Sequence, residues 1–236
     1  MDDSERRAQQ YDAIALEYAA DNAVSPYNAF YERPATMLLL GKVSGLRALD
    51  VGCGSGILTT FLVDEGATVT AMDASPAMLD LARRSLGDRA DLVLANLAEP
   101  LPFETGSFDV VVASLVLHYV RDWTAALREL RRVLSPRGAV VFSTHHPTMD
   151  WMLSSPDDYF AVKRVTETWA IGGRDFEVTF WRRPLTAMCE AIANAGFVIE
   201  RLVEPAPLPE AAERDAQAYE AIRTKPRFLF FRLRPT

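Results

Sequence analysis

The feature that most limits how this chain can fold is a strand ending in three alternate glycines and followed at once by a helix. Leu46 to Val51 reads as the strand and Gly52-Cys53-Gly54-Ser55-Gly56 as the loop. Ile57 to Glu65 reads as the helix, with Ile57, Leu58, Phe61 and Leu62 inward and Gly66 closing it. Glycines permit a tight turn and let the backbone approach a ligand with no Cβ in the way. The pattern then keeps alternating. Ala67 to Met72 is a strand ending at Asp73, and Ser75 caps a helix with Pro76 in its first position. Leu92 to Ala95 and Phe108 to Leu115 are strands, the second nearly all apolar, as a strand covered on both faces must be. Asp122 caps a helix through Leu134, and Ser135-Pro136-Arg137-Gly138 turns into a strand over Ala139 to Thr144. This alternation predicts an α/β, Rossmann-like sheet, mostly parallel, with helices on both faces.

Outside this core the rhythm changes. Residues 4–20 read as a helix with Tyr11, Ile14, Ala15 and Tyr18 on one face; residues 21–33 read as irregular around Pro26, and Pro34 opens a helix through Leu40. Residues 147–160 show little periodicity. Val162 to Ile171 and Asp175 to Trp181 form a hairpin across Gly172-Gly173-Arg174. Pro184 opens a helix ending at Gly196, and strands at Phe197–Val203 and Phe228–Leu233 are joined by a Pro-rich, charged connection. One domain is therefore expected over 1–236: a helical cover at 1–45, a ligand-binding core at 46–146, a substrate-side insertion at 147–182, and the end of the sheet at 183–236.

Composition excludes several function classes. A net charge of −7 and a pI near 5.1 speak against nucleic-acid or anionic-lipid partners, which want a basic face. The charged N-terminus precedes no apolar run, so no signal peptide is expected, and the longest apolar stretches are strand-length rather than membrane-spanning. Cys53 and Cys189 lie far apart, which argues against a disulfide or a paired-thiol metal site. A cytoplasmic protein acting on a small molecule is the expectation.

Two acids narrow the ligand. Asp73 ends the second strand 21 residues after Gly52, the spacing at which a carboxylate accepts from ribose hydroxyls. Asp50, at the end of the first strand, would repel a pyrophosphate but suits a cation bearing an ammonium and a sulfonium. The loop is also G-x-G-x-G, with Ile57 where a dinucleotide fingerprint places its third glycine.

Leu49 to Gly56, Met72 to Leu79, Leu101-Pro102-Phe103 and Ser107 to Val111 together resemble the class I S-adenosylmethionine methyltransferases, nearest the branch acting on small molecules. The likeness is colinear over residues 46–146, and Ala195-Gly196-Phe197 resembles a common ending of that branch. The resemblance implies a seven-stranded sheet with an antiparallel last strand and S-adenosyl-L-methionine as cofactor. It implies that Gly52, Cys53, Gly54 and Gly56, with Asp50, hold the methionine part and that Asp73 holds the ribose. Ala74 and Met78 would border the adenine, Asn96 and Leu97 its polar edge, and Ser114 the sulfur side. Asn96 departs from the Asp usual in the family, although its side-chain carbonyl can still accept from an amino group. The first helix would close over the cofactor with Tyr11 or Tyr18 near its carboxylate; packing is the plainer role for both. Arg33 is a second candidate for that carboxylate, or a surface residue.

The acceptor side is read from strand ends. His118 follows the fourth strand and His145-His146 the fifth, at the rim where such sheets place their cleft. They are candidate bases for a hydroxyl or amine proton, against the alternative of structural histidines. No acidic ligands accompany them at a telling spacing, so no metal is expected. The insertion carries Trp151, Tyr159, Phe160, Trp169, Phe176, Phe180 and Trp181. About half of these should pack internally, and Tyr119, Trp169 and Trp181 are candidates to line a flat, apolar substrate pocket. Arg128, Arg131 and Arg132 read as a solvated helix face. Ser114-Leu115 stands where enzymes methylating DNA bases carry Asn-Pro-Pro-aromatic. The expected function is methyl transfer to an O, N or C atom of a small molecule. The alternatives are a relative using the same cofactor for a non-methylating step such as cyclisation, or a cofactor-binding partner without turnover.

Overall fold

Alternating side chains along the central strands set the layers of this molecule. In the computed structural model, which describes residues 3–154, 157–171 and 173–236, a seven-stranded sheet runs in the order β3-β2-β1-β4-β5-β9-β8. Its strands are β1 (Arg47–Val51), β2 (Thr68–Asp73), β3 (Asp91–Leu94), β4 (Phe108–Ala113), β5 (Leu134–His145), β8 (Phe197–Val203) and β9 (Phe228–Pro235). The first five are parallel; β9 runs antiparallel to both β5 and β8. Leu49, Val51, Val111, Ala113, Val140 and Phe142 point to one face. There α5 (Trp123–Val133) and α7 (Leu185–Asn194) cover them with Leu127, Leu130, Met188 and Ile192. Ala48, Val110, Val112 and Val141 point the other way, against Leu40 of α2 (Arg33–Leu40) and Leu58 and Leu62 of α3 (Ile57–Asp64). Each large side chain buried this way contributes roughly 1.5–3 kcal/mol relative to exposure. The order reverses between β1 and β4, and an open α/β sheet places its ligand cleft at that point, beyond the strands' C-terminal ends.

The seven strands and the antiparallel last one agree with expectation; the connecting segments differ. Helix α1 (Asp3–Val24) is longer than the pattern suggested, and residues 21–33 are helical rather than irregular. Pro26 starts a new helical stretch, and Asn28–Glu32 form a π-helical turn that runs directly into α2. Pro34 has no N–H for Phe30 O four residues back, and that carbonyl instead accepts the Leu208 N–H at 2.7 Å. The wider turn absorbs the proline that would otherwise kink the helix. Two further stretches hide short helices: α6 (Pro147–Leu153) in the insertion, and α8 (Ala211–Arg214) and α9 (Ala216–Ile222) in the Pro-rich connection.

Strand β5 begins at Leu134 rather than Ala139. Leu134 pairs with Phe108 and Ala139 with Val110, so Ser135–Gly138 bulge out of register, which is how a strand accommodates Pro136. A Cβ on Gly138 would lie 2.8 Å from Asp109 O. Of the three arginines on α5, Arg132 does not face open solvent. It donates to Phe103 O at 2.6 Å and Leu101 O at 2.9 Å, holding that loop against the helix.

The insertion forms a hairpin of β6 (Lys163–Ile171) and β7 (Arg174–Arg182), with Ile171 paired to Arg174; Gly172 of its turn lies outside the described residues. Arg174 reaches Glu17 of α1 at 3.2 Å, so the hairpin and the N-terminal helix meet over the C-terminal edge of the sheet. No helix of the described residues is long and apolar enough to cross a membrane.

Candidate active site

The glycine loop is held open by its own backbone. Gly52, Gly54 and Gly56 adopt φ of 70°, 54° and 85°. A Cβ on Gly52 would lie 2.7 Å from Val116 Cγ2, so contact as well as φ demands glycine there. The loop is tied to the end of β2: Gly52 and Cys53 donate N–H to Met72 O at 2.8 and 3.0 Å, and Gly54 donates to Asp73 Oδ2 at 2.9 Å. The second oxygen of Asp73 accepts the Ser75 N–H at 2.9 Å. Ser75 Oγ in turn accepts the Met78 N–H at 3.1 Å and caps α4 (Pro76–Leu86), as its position ahead of Pro76 predicted.

This loop floors a cavity at the ends of β1, β2 and β4. Asp50, Gly52, Cys53 and Gly54 line it, with Asp73, Ala74 and Met78 from the second unit and Asn96 and Leu97 beyond β3. Ser114 and Tyr119 join from beyond β4, and Tyr11, Tyr18 and Arg33 from the cover. Gly56 does not line it. It starts α3 behind the loop, where a Cβ would meet Leu86 Cδ1 at 3.0 Å and Ala82 Cβ at 3.2 Å of α4, so its role is helix packing. Asn96 Oδ1 accepts the Ala98 N–H at 3.0 Å, which fixes the amide and leaves one lone pair for a further donor.

The electrostatics of the cavity are dominated by acids. Asp50 is buried and accepts from Thr59 Oγ1 at 2.6 Å. Burial pushes its pKa up to about 7, and the negative charges of Asp73 and Glu32 add to the rise. Burial also raises Asp73 above the usual carboxylate range, and raises the Cys53 thiol so that it stays protonated. Glu32 is the site residue that sequence reasoning missed. Its Oε1 accepts three hydroxyls, from Thr36 at 2.7 Å, Ser114 at 2.8 Å and Ser143 at 2.6 Å. Helical spacing from Glu32 to Thr36 was its one available signal, masked by the prolines on either side. The cation of this group is Arg33, which donates to Asn22 O at 2.9 Å and Asn22 Oδ1 at 2.8 Å. Among the described residues, three acids and one arginine line this cavity, which suits a ligand with more positive than negative charge, and the glycine cradle and Asp73 suit a nucleoside.

Helix α1 closes the cavity. The Tyr11 and Tyr18 rings meet edge to face at 5.0 Å, and the Tyr11 hydroxyl bonds that of Tyr119. Asp12 Oδ1 accepts from Ser75 Oγ at 2.5 Å and from the Ala77 N–H at 3.1 Å, clipping α1 to the start of α4.

A second cavity, of about 570 Å³, adjoins the first. Tyr18, Asn28, Leu115 and Tyr119 line both. Leu115, with φ of +49°, is the one non-glycine residue of positive φ among those described; its N–H donates to Ser143 Oγ at 2.9 Å. His118, in a 3-10 turn over Leu117–Tyr119, and His145 stack at 4.0 Å with 17° between ring planes and line this second cavity, as does Trp169. Phe180 meets the His145 ring edge-on at 4.8 Å, and Asp150 Oδ1 lies 3.3 Å from His145 Nδ1. Burial lowers the His145 pKa to about 3, with the positive charge of Arg227 adding, and raises Asp150 to about 7. His146 and Trp181 are placed elsewhere. His146 Nε2 pairs with Glu204 Oε1 at 2.7 Å, because consecutive residues at a strand end point to opposite sides. Trp181 falls on the outer face of β7, one residue from buried Phe180, beneath Arg121 at 5.2 Å. Among the described residues no three His, Cys, Asp or Glu side chains form a metal-binding group.

Comparison with known proteins accords with this arrangement. A methyltransferase-domain family model matches residues 49–142. An uncharacterized methyltransferase of Synechocystis sp. is 30% identical over 174 residues, 73% of this chain and 75% of that protein. The demethylmenaquinone methyltransferase of Lactococcus lactis is 35% identical over 166 residues, 66% of each chain. The chain spans no more than two thirds of the length of the first curated relatives it matches. The structure of an S-adenosylmethionine-dependent methyltransferase from Mesorhizobium loti, 28% identical, superposes with a TM-score of 0.68 over 85% of this chain and 96% of that one. With its glycine loop, sheet order and antiparallel last strand, the chain belongs to the class I S-adenosylmethionine-dependent methyltransferases, an enzyme family whose cofactor is S-adenosyl-L-methionine.

Proposed function

We propose that the chain transfers the methyl group of S-adenosyl-L-methionine to a nucleophilic O, N or C atom of a small, flat or apolar molecule. The observation that carries this reading is the shared wall: Tyr18, Asn28, Leu115 and Tyr119 line both cavities, so a ligand in each would meet across them. On this reading Asp73 receives the ribose hydroxyls, Glu32 and Asp50 face the positive end of the cofactor, and Arg33 with Tyr11 and Tyr18 faces its carboxylate. Ala74, Met78, Asn96 and Leu97 surround the adenine, and Ser114 lies on the sulfur side.

When bound, the cofactor supplies a methyl group on a leaving group already activated by its positive charge. The residues then have mainly to align the acceptor at roughly 3–3.5 Å and exclude water. The clipped α1 cover and the hairpin serve the exclusion. His145 stays neutral across the physiological range, and so low a pKa makes it a weak base. We assign the His118–His145 stack to shaping the acceptor wall rather than to taking a proton.

Calorimetry with S-adenosylmethionine and S-adenosylhomocysteine, followed by mass spectrometry for S-adenosylhomocysteine formed with candidate acceptors, tests the reading. Micromolar binding and acceptor-dependent product are expected; no binding of either nucleoside would overturn it.

A further inference from the structure

Arg227 stands out among the arginines. Together with the more exposed Arg214 it lines the second cavity, and neither lines the first. Its main chain is pinned on both sides: its N–H donates to Tyr31 Oη at 3.2 Å, and its carbonyl accepts the His146 N–H at 3.0 Å. The side chain, on a half-buried residue, forms no hydrogen bond or ion pair among the described residues. Arg33, Arg132, Arg182, Arg183 and Arg232 each donate to a carbonyl or carboxylate.

Acids also face this cavity, but none answers Arg227. Asp215 is spent on the N-terminus of α9, where its Oδ1 accepts the Ala218 N–H at 2.9 Å. Burial raises the pKa of Asp21. Asp150 and Glu167 are not among the lining residues; both feel the charge of Arg227, yet neither forms an ion pair with it, and burial raises both. A carboxyl group can shed its charge by taking a proton, whereas a guanidinium cannot. The Arg227 guanidinium therefore keeps its charge toward the cavity, where it can receive an anion from outside the protein. The aromatic faces of His145, Trp169 and Phe228 around the same cavity favour a flat molecule.

Building on the methyl-transfer reading, we propose that the acceptor is a planar carboxylic acid whose carboxylate seats on Arg227 while its nucleophilic atom lies at the wall shared with the cofactor cavity. Arg227 is then a specificity residue: its planar fork matches a carboxylate, as a lysine ammonium does not.

The test is calorimetric titration of the S-adenosylhomocysteine-loaded protein with 4-hydroxybenzoate, 4-hydroxycinnamate and 3-hydroxyanthranilate, each beside its primary amide. At least one acid is expected to bind tenfold or more tightly than its amide. R227Q should remove that preference without changing affinity for S-adenosylhomocysteine, and R227K should retain part of it. Should R227Q lose the nucleoside too, R227K carries the test. Equal affinity for acids and amides, binding of no acid, or a preference untouched by both variants would overturn the proposal. Failure of the wild-type protein to bind S-adenosylhomocysteine overturns the methyl-transfer reading instead. With the nucleoside bound and no acid bound, the carboxylate inference alone falls.

Discussion

At the scale of single residues, Gly52 and Asp50 make opposite demands. Gly52 is required by the backbone, with φ of 70° and Val116 against the missing Cβ. G52A should cost about 1–3 kcal/mol of stability from strained φ alone, with a further loss from the clash and from cofactor affinity. In chemical denaturation, V116A should return the clash share only when combined with G52A, so the pair is non-additive. Asp50, assigned above to the positive end of the cofactor, costs the fold. It binds its proton more tightly in the folded than in the unfolded chain, so its contribution is full below pH 3.8 and is lost as pH rises through about 7. Ligand-free D50N should accordingly melt higher than wild type at pH 8 and show a flatter dependence between pH 4 and 7. Its affinity for S-adenosylmethionine should fall about tenfold, the scale of one charge-assisted hydrogen bond. A melting temperature unchanged at pH 8 would contradict the account. Gly52 and Asp50 were legible in the sequence because φ and strand-end position are local. Glu32 was not, since its three hydroxyl partners come from α2, from the chain after β4 and from β5.

At the scale of elements, α1 and the hairpin are the parts that close the site. Helix α1 packs on α4 and buries Ile14 and Ala15, and its polar clip is Asp12 on Ser75 and Ala77. D12A should leave the sheet intact and loosen the cover. Hydrogen exchange should rise in α1 and remain unchanged in β1 to β5, and release of S-adenosylhomocysteine should quicken several-fold in stopped flow. Equal exchange in α1 for both proteins would show that the apolar face alone holds the helix. The hairpin illustrates how period two divides neighbours: Trp169 and Phe180 turn to the cavity side, Trp181 to the outside. A count of aromatics in the insertion could not make that division, because it depends on which face of the ribbon meets His145.

At the scale of the whole molecule, the first cavity sits at the ends of β1, β2 and β4 and shares a wall with the second, and helices, strand ends and loops all contribute lining groups. A ligand bound there stabilises the folded state by mass action. S-adenosylhomocysteine at a hundred times its Kd should add about 2.7 kcal/mol, which for a chain of this size raises Tm by roughly 5–10 °C. The same addition to G52A should raise Tm by much less. An equal rise in both would place the nucleoside elsewhere than the glycine loop.

The sequence alone determined the sheet, the loop and the acids Asp50 and Asp73. Each is written in a short-range signal: apolar runs, positive-φ glycines, and a carboxylate one strand further on. Tertiary structure alone decided the rest. Pro34 stopped being a break once a π-helical turn and the Leu208 N–H took up what it leaves unpaired. Glu32, Arg227 and the stacked His118 and His145 became neighbours of the cavities because segments far apart in the chain end at one edge of the sheet. That convergence is set by strand order and register, which no local pattern of residues encodes.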